Sequence, residues 1–134
     1  YEILRCLVGS EMCIRDSTFA DRQDLYARID RRVDAMMQQG LLDEVRALLA
    51  AGIPADCTAM QAIGYKEAVA AVRGEATAQE AADAIRLASR QYAKRQLTWL
   101  RRDAQLFWLR HEKTPDMDLA CRRSTQFLAG RGIE

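Results

Sequence analysis

The sequence predicts a mostly α-helical chain, because apolar residues recur at steps of three and four over long stretches and helix-ending glycines separate those stretches. Only a short aromatic run near the C-terminus breaks that rhythm. With 134 residues, 49% apolar and 29% charged, the chain can build one hydrophobic core and lacks the composition of a disordered or fibrous protein. A formal net charge of +1 gives no overall attraction for nucleic acid, so a nucleic-acid partner requires a local patch.

The first helix starts near Asp21, where Leu25, Ile29, Val33, Met36 and Met37 form one stripe, and Gly40 stops it. A second follows at once, with Leu41, Leu42, Val45, Leu48 and Leu49 as its apolar face and Gly52 and Pro54 as its end. So short a connection predicts a hairpin or a bent pair. Thr58 to Gln61 has the form of a capping box, which predicts a third helix from about Ala59 to Gly74 with Tyr65, Ala68, Val69 and Val72 inward. Gly64 falls inside that helix or at its mouth, either because a backbone or ligand approaches closely there or as a simple irregularity.

A second capping box, Thr77 to Glu80, opens the longest helix, from about Ala78 to Arg102, uninterrupted by proline or glycine. Its wheel places Ala81, Ile85, Ala88, Tyr92 and Trp99 on one face and Arg86, Arg90, Lys94 and Arg101 on the other. No acidic residue lies between Ala84 and Arg102. The basic face is either a surface for a nucleic-acid backbone or a solvated face paired with carboxylates of neighbouring helices. Tyr92 and Trp99, turned away from Arg86 and Arg90, are expected in the core.

Gln105 to Leu109 reads as a short buried strand whose sheet neighbours are missing, which predicts an exposed, aggregation-prone edge. Thr114 and Pro115 mark a turn, Asp116 to Leu128 a last amphipathic helix, and Gly130 to Glu134 a frayed end. Tyr1 to Ser17 has no period, and its run CLVGSEMCIRDS resembles translated adapter sequence. Charged residues there leave no apolar segment for a signal peptide. The expected division is a non-native segment at 1–17, a helical part with one strand at 18–112, and a C-terminal helix and tail at 113–134.

Charged residues interrupt every apolar run before it reaches membrane-spanning length. Cys6, Cys13, Cys57 and Cys121 form no CxxC pair and His111 is the only histidine, so no zinc ligation is expected and the thiols read as those of a reduced, cytoplasmic protein. There is no GxxxxGK[ST] loop, no GxSxG elbow and no paired His/Glu metal motif. Asp43 and Glu44 sit in a helix's first turn, where the helix dipole accounts for them.

The strings from Met60 to Glu67 (MQAIGYKE) and from Ser89 to Arg101 (SRQYAKRQLTWLR), with Arg28 to Leu49 ahead and an FWL run behind, resemble the tRNA dimethylallyltransferases over roughly Asp21 to Leu109. That resemblance implies a parent fold with a P-loop kinase-like α/β core and a helical insertion domain. It also implies transfer of a dimethylallyl group from dimethylallyl diphosphate to N6 of the adenosine 3′ to the anticodon, with the target base flipped into a channel and Mg2+ assisting departure of the diphosphate. The family's phosphate loop and its catalytic Asp and Thr belong to an N-terminal half this sequence lacks, so no catalytic residue or metal ligand is carried over. Two tRNA-binding stretches are: Gln61, Ala62, Ile63, Gly64, Tyr65 and Lys66, then Lys94, Arg95, Gln96, Leu97, Thr98, Trp99, Leu100 and Arg101. By analogy with the lid helices of P-loop kinases, Arg28, Arg32 and Arg90 are expected on the diphosphate side.

The expectation is therefore a monomeric, cytoplasmic, bacterial-type C-terminal fragment that holds the tRNA anticodon arm and is inactive alone. Its rivals are a stand-alone helical RNA-binding module and a helical interaction protein with no nucleic-acid partner.

Overall fold

The computed structural model describes residues 15–102 and 107–130, and within them five α-helices, one 3-10 turn and two short strands. The chain divides into two compact units. One is Leu25–Leu97; the other comprises the described residues of Tyr1–Asp24 and Thr98–Glu134.

In the Leu25–Leu97 unit, α1 (Arg22–Gln38) ends before Gly40, whose φ of 94° turns the chain directly into α2 (Leu41–Ala50). A side chain resists that backbone angle, so glycine is the residue that permits so tight a reversal. The chain then passes through a 3-10 turn (Thr58–Gln61) to α3 (Tyr65–Val72) and on to α4 (Ala78–Leu100). Val33 of α1, Leu41 and Val45 of α2, Met60 of the turn, Ala68 and Val69 of α3, and Ala82 and Ile85 of α4 form the buried core. Val45, Met60 and Ile85 are the largest wholly enclosed side chains. Each such residue contributes about 1.5–3 kcal/mol by leaving water.

The two sequence capping boxes diverge. Thr77 and Glu80 form theirs: the Thr77 N–H donates to Glu80 Oε2 at 2.7 Å and the Glu80 N–H donates to Thr77 Oγ1 at 3.2 Å. Thr58 to Gln61 does not start a long helix as expected. The Gln61 amide donates instead to the Ala55 carbonyl at 3.2 Å, the 3-10 turn ends on an extended Ala62, and α3 begins only at Tyr65. The 3-10 turn starts after Cys57 and has no side-chain cap hydrogen bond, so the reciprocal pair of a capping box is not formed there.

Two ion-pair sets join α1 to α4. Arg86 pairs with Asp34 and with Asp83, while Arg90 engages both oxygens of Asp30, Nε donating to Oδ1 at 3.1 Å. The Arg90 guanidinium also lies 5.4 Å from the centre of the Tyr26 ring, within cation–π range. The Asp34 hydrogen bond is the leading reason that Arg86 is held even more firmly protonated than usual.

In the other unit, β1 (Arg15–Phe19) and β2 (Phe107–His111) pair in parallel, Arg15 opposite Phe107 and Phe19 opposite His111. The Ala20 N–H extends the ladder to the His111 carbonyl at 2.8 Å. α5 (Met117–Ala129) is capped by Asp116, which accepts the Leu119 N–H at 2.8 Å, and its Phe127 stacks on Phe107 with ring centres 4.4 Å apart. The strand expected at Gln105 to Leu109 thus lies at Phe107–His111 and, against expectation, has a sheet neighbour; Gln105 and Leu106 are outside the described residues. That neighbour takes the backbone of Arg15 to Ser17, part of the segment expected to be non-native, into the sheet. Tyr1 to Ile14 lie outside the described residues.

Ile85 is 1% exposed at the centre of the four-helix core, so Ile85→Ala is expected to lower unfolding free energy by about 3 kcal/mol in urea titration. A loss below about 1 kcal/mol would show that α4 is not anchored there.

Candidate nucleic-acid interface

The segment Gln61–Lys66 is a short connection whose shape is fixed by side chains around it. Gly64 has φ 105° and ψ −52°, a backbone state that side-chain-bearing residues rarely adopt, and it is the N-cap of α3. A Cβ at Gly64 would stand 3.5 Å from Met36 Cε, ordinary contact, so the backbone angle and not lack of room demands glycine. Of the two readings left open for Gly64, it therefore sits at the helix mouth as a turn former. Glu67 reaches back to accept the Gly64 N–H at 2.8 Å, and the Tyr65 hydroxyl donates to Glu44 Oε1 on α2 at 2.5 Å. The bond to Glu44 is the main cause that raises the Tyr65 phenol above its ordinary pKa of 10.0, with desolvation and the carboxylate's charge adding to it. Gln61, Ala62, Ile63 and Lys66 remain exposed.

The second stretch occupies the last turns of α4 and the turn beyond. Lys94, Arg95, Gln96 and Thr98 are exposed, Leu97 and Leu100 are half-buried, and Arg101 is exposed past the helix end. Tyr92 and Trp99, expected in the core, are instead 48% and 66% exposed. The cause is that α4 buries only its opening turns, at Ala81, Ala82 and Ile85; a shared helical face does not remain covered along the whole helix. The basic face divides in the same way. Arg86 and Arg90 are matched with α1 carboxylates, so for them the paired-surface alternative holds, whereas the stretch from Lys94 to Arg101 itself contains no acidic residue, the next in sequence being Asp103.

Arg28 and Arg32 are exposed and one turn apart on α1, while Asp30 and Asp34, the residues that meet α4, lie on the other side of that helix. Arg90 is thus committed to Asp30 and Tyr26, away from Arg28 and Arg32. Sequence reasoning missed Glu44 and the partners Asp30 and Asp34, whose roles come from contacts between distant parts of the chain. Glu67 carried a local signal, three residues after Gly64.

Residues 11–103 match the family model for IPP transferase. The chain belongs to that family. It is 46% identical over 99 residues to a tRNA dimethylallyltransferase of Geobacter metallireducens, covering 74% of this chain and 32% of that protein. It is 44% identical over 113 residues to the one of Bacillus subtilis, covering 83% and 35%. A crystal structure of the full-length tRNA isopentenylpyrophosphate transferase from Bacillus halodurans superimposes with a TM-score of 0.80 at 42% identity, over 88% of this chain and 38% of that one. The chain thus spans about a third of the length of the curated relatives it matches.

The IPP transferase match includes the Gln61–Lys66 connection and the Lys94–Arg101 stretch, and it begins upstream of Asp21, where the sequence resemblance starts. For the magnesium which the family resemblance implies, the described residues offer no group of three or more His, Cys, Asp or Glu side chains. No described helix is long and apolar enough to cross a membrane.

Gly64→Ala is expected to cost about 2 kcal/mol of stability through backbone strain alone, measured by urea unfolding. A neutral outcome would mean that the turn relaxes. Glu44→Ala should return the Tyr65 phenol toward its ordinary value, seen as phenolate absorbance appearing at lower pH than in wild type. Since the folded value is the raised one, the bond's contribution to stability is full below pH 10.0 and disappears as pH rises through the folded value. An unchanged phenolate titration would place Tyr65 elsewhere.

Proposed function

We propose that this chain is the C-terminal portion of a bacterial tRNA dimethylallyltransferase and that its task is to hold the tRNA anticodon arm. In the complete enzyme the arm would be presented so that a dimethylallyl group passes from dimethylallyl diphosphate to N6 of the adenosine 3′ to the anticodon. The observation that carries this reading is the family match across residues 11–103 together with the likeness to the Bacillus halodurans structure. The P-loop kinase-like core, the catalytic groups and the magnesium ligands belong, on this reading, to the part of the enzyme these residues do not represent.

The work of the present residues is binding and orientation. Gly64 supplies the turn of the Gln61–Lys66 connection, which Glu67 and Glu44 hold, so a nucleic-acid strand meets a pre-formed surface whose shape costs little to order. Lys66, Lys94, Arg95 and Arg101 supply charge for phosphate oxygens, and Gln61 and Gln96 supply amides for base edges. Arg28 and Arg32, one turn apart and exposed, are offered to the diphosphate side. The enzyme acts in the cytoplasm as a monomer.

Replacing both Lys94 and Arg101 by Glu should weaken binding of an anticodon stem–loop RNA in fluorescence anisotropy and reduce the salt slope of log K by about 1 for each phosphate that is no longer neutralised. Unchanged binding would favour a helical interaction protein with no nucleic-acid partner. Incubated with dimethylallyl diphosphate, magnesium and tRNA, the chain is expected to bind the RNA and transfer nothing. Transfer by the chain alone would contradict the assignment of catalysis to other parts of the enzyme.

A further inference from the structure

On α4, Tyr92 is 48% exposed, although aromatic rings of this size are ordinarily withdrawn from water. The Arg95 guanidinium lies 5.8 Å from the centre of its ring. Arg95 and Gln96 follow Tyr92 by three and four residues, which puts both on the same side of the helix one turn further on. Both are exposed, and no carboxylate occurs on α4 after Asp83. An aromatic face, a planar cation and an amide able to pair with a base edge therefore stand together on a surface whose charge suits a polyanion.

We infer that Tyr92 and Arg95 form a stacking platform for an unpaired base of the bound RNA, extending the RNA-contacting surface two residues toward the start of α4 beyond Lys94. The proposal rests on the tRNA-binding reading above and specifies a contact that reading does not contain. A ring with a guanidinium over one face keeps the other for a nucleobase, and the guanidinium offers an outer plane of its own. Stacking of this kind is tolerant of base identity but needs a base free of its duplex, which a hairpin loop supplies and a paired stem does not. Gln96, beside the ring, is placed to take the edge of the stacked base. Phosphate contacts by lysine and arginine draw in loop and duplex alike; the platform distinguishes them.

The test compares the whole chain with its Tyr92→Ala, Tyr92→Phe and Arg95→Gln variants against an anticodon stem–loop RNA and a blunt duplex RNA of equal phosphate number. A 2-aminopurine placed in the loop reports stacking by its quenching. Tyr92→Ala is expected to weaken stem–loop binding about tenfold and abolish the quenching, with duplex binding and the salt slope unchanged. Tyr92→Phe should retain the quenching, and Arg95→Gln should reduce it in part. If Tyr92→Ala is found to unfold the chain, the quenching with Tyr92→Phe and Arg95→Gln decides the matter instead. Wild-type quenching that survives Tyr92→Ala, or that is equal in wild type and Arg95→Gln, overturns the platform while leaving the tRNA reading intact. Equal weakening of loop and duplex binding does the same. Failure of the wild-type chain to bind either RNA overturns both.

Discussion

The turn at Gly64 is the constraint on which the candidate interface depends. Its positive φ sends the chain from the 3-10 turn into α3, and Glu67 and Glu44 hold the result by accepting from the Gly64 N–H and the Tyr65 hydroxyl. Because one of these carboxylates comes from α3 itself and the other from α2, the connection is fixed both locally and by the packing of α2 on α3. That packing in turn rests on Val45, Ala68 and Val69 in the core. A candidate binding segment placed by buried apolar contacts and two charge-assisted bonds has little freedom left to lose to a ligand.

α4 shows how one helix serves two ends. Its opening is tied down by the Thr77–Glu80 box, by Ala81, Ala82 and Ile85 in the core, and by Arg86 and Arg90 on α1 carboxylates. Beyond Arg90 these restraints give way to exposed cations and aromatics. The pairs at Arg86 and Arg90 are partly exposed, so each is worth little to stability on its own; the two-oxygen grip of Arg90 on Asp30, backed by the Tyr26 ring, is more a matter of orientation.

What the sequence reveals and what it hides follow from the distance over which each feature is determined. The boundaries of α1, α2, α4 and α5 are written in neighbouring residues: a stripe, a glycine, a capping pair, Asp116 before Met117. The start of α3 is hidden because Thr58 to Gln61 has the same S/T-x-x-E/Q form as Thr77 to Glu80, although only the second forms the reciprocal bonds. The pairings Arg86–Asp34 and Arg90–Asp30, and the partner strand for β2, join residues far apart in sequence, and no local pattern announces them. Tyr92 and Trp99 can be placed on a face by periodicity, but not covered or uncovered, since a wheel says nothing of what lies opposite. The two candidate RNA-binding stretches are legible through resemblance, as whole strings, and their chemistry is only partly so: Lys66, Lys94 and Arg101 declare charge, while the part played by Glu44 requires the fold.

The central claim is that Gln61–Lys66 and Lys94–Arg101 together contact RNA. The most direct measurement is an NMR titration of the isotope-labelled chain with an anticodon stem–loop RNA, following every backbone amide. Shifts concentrated at Gly64 to Lys66 and along the last turns of α4, with α5 unmoved, are the predicted result. Shifts confined to α5, or absent throughout at saturating RNA, would contradict it.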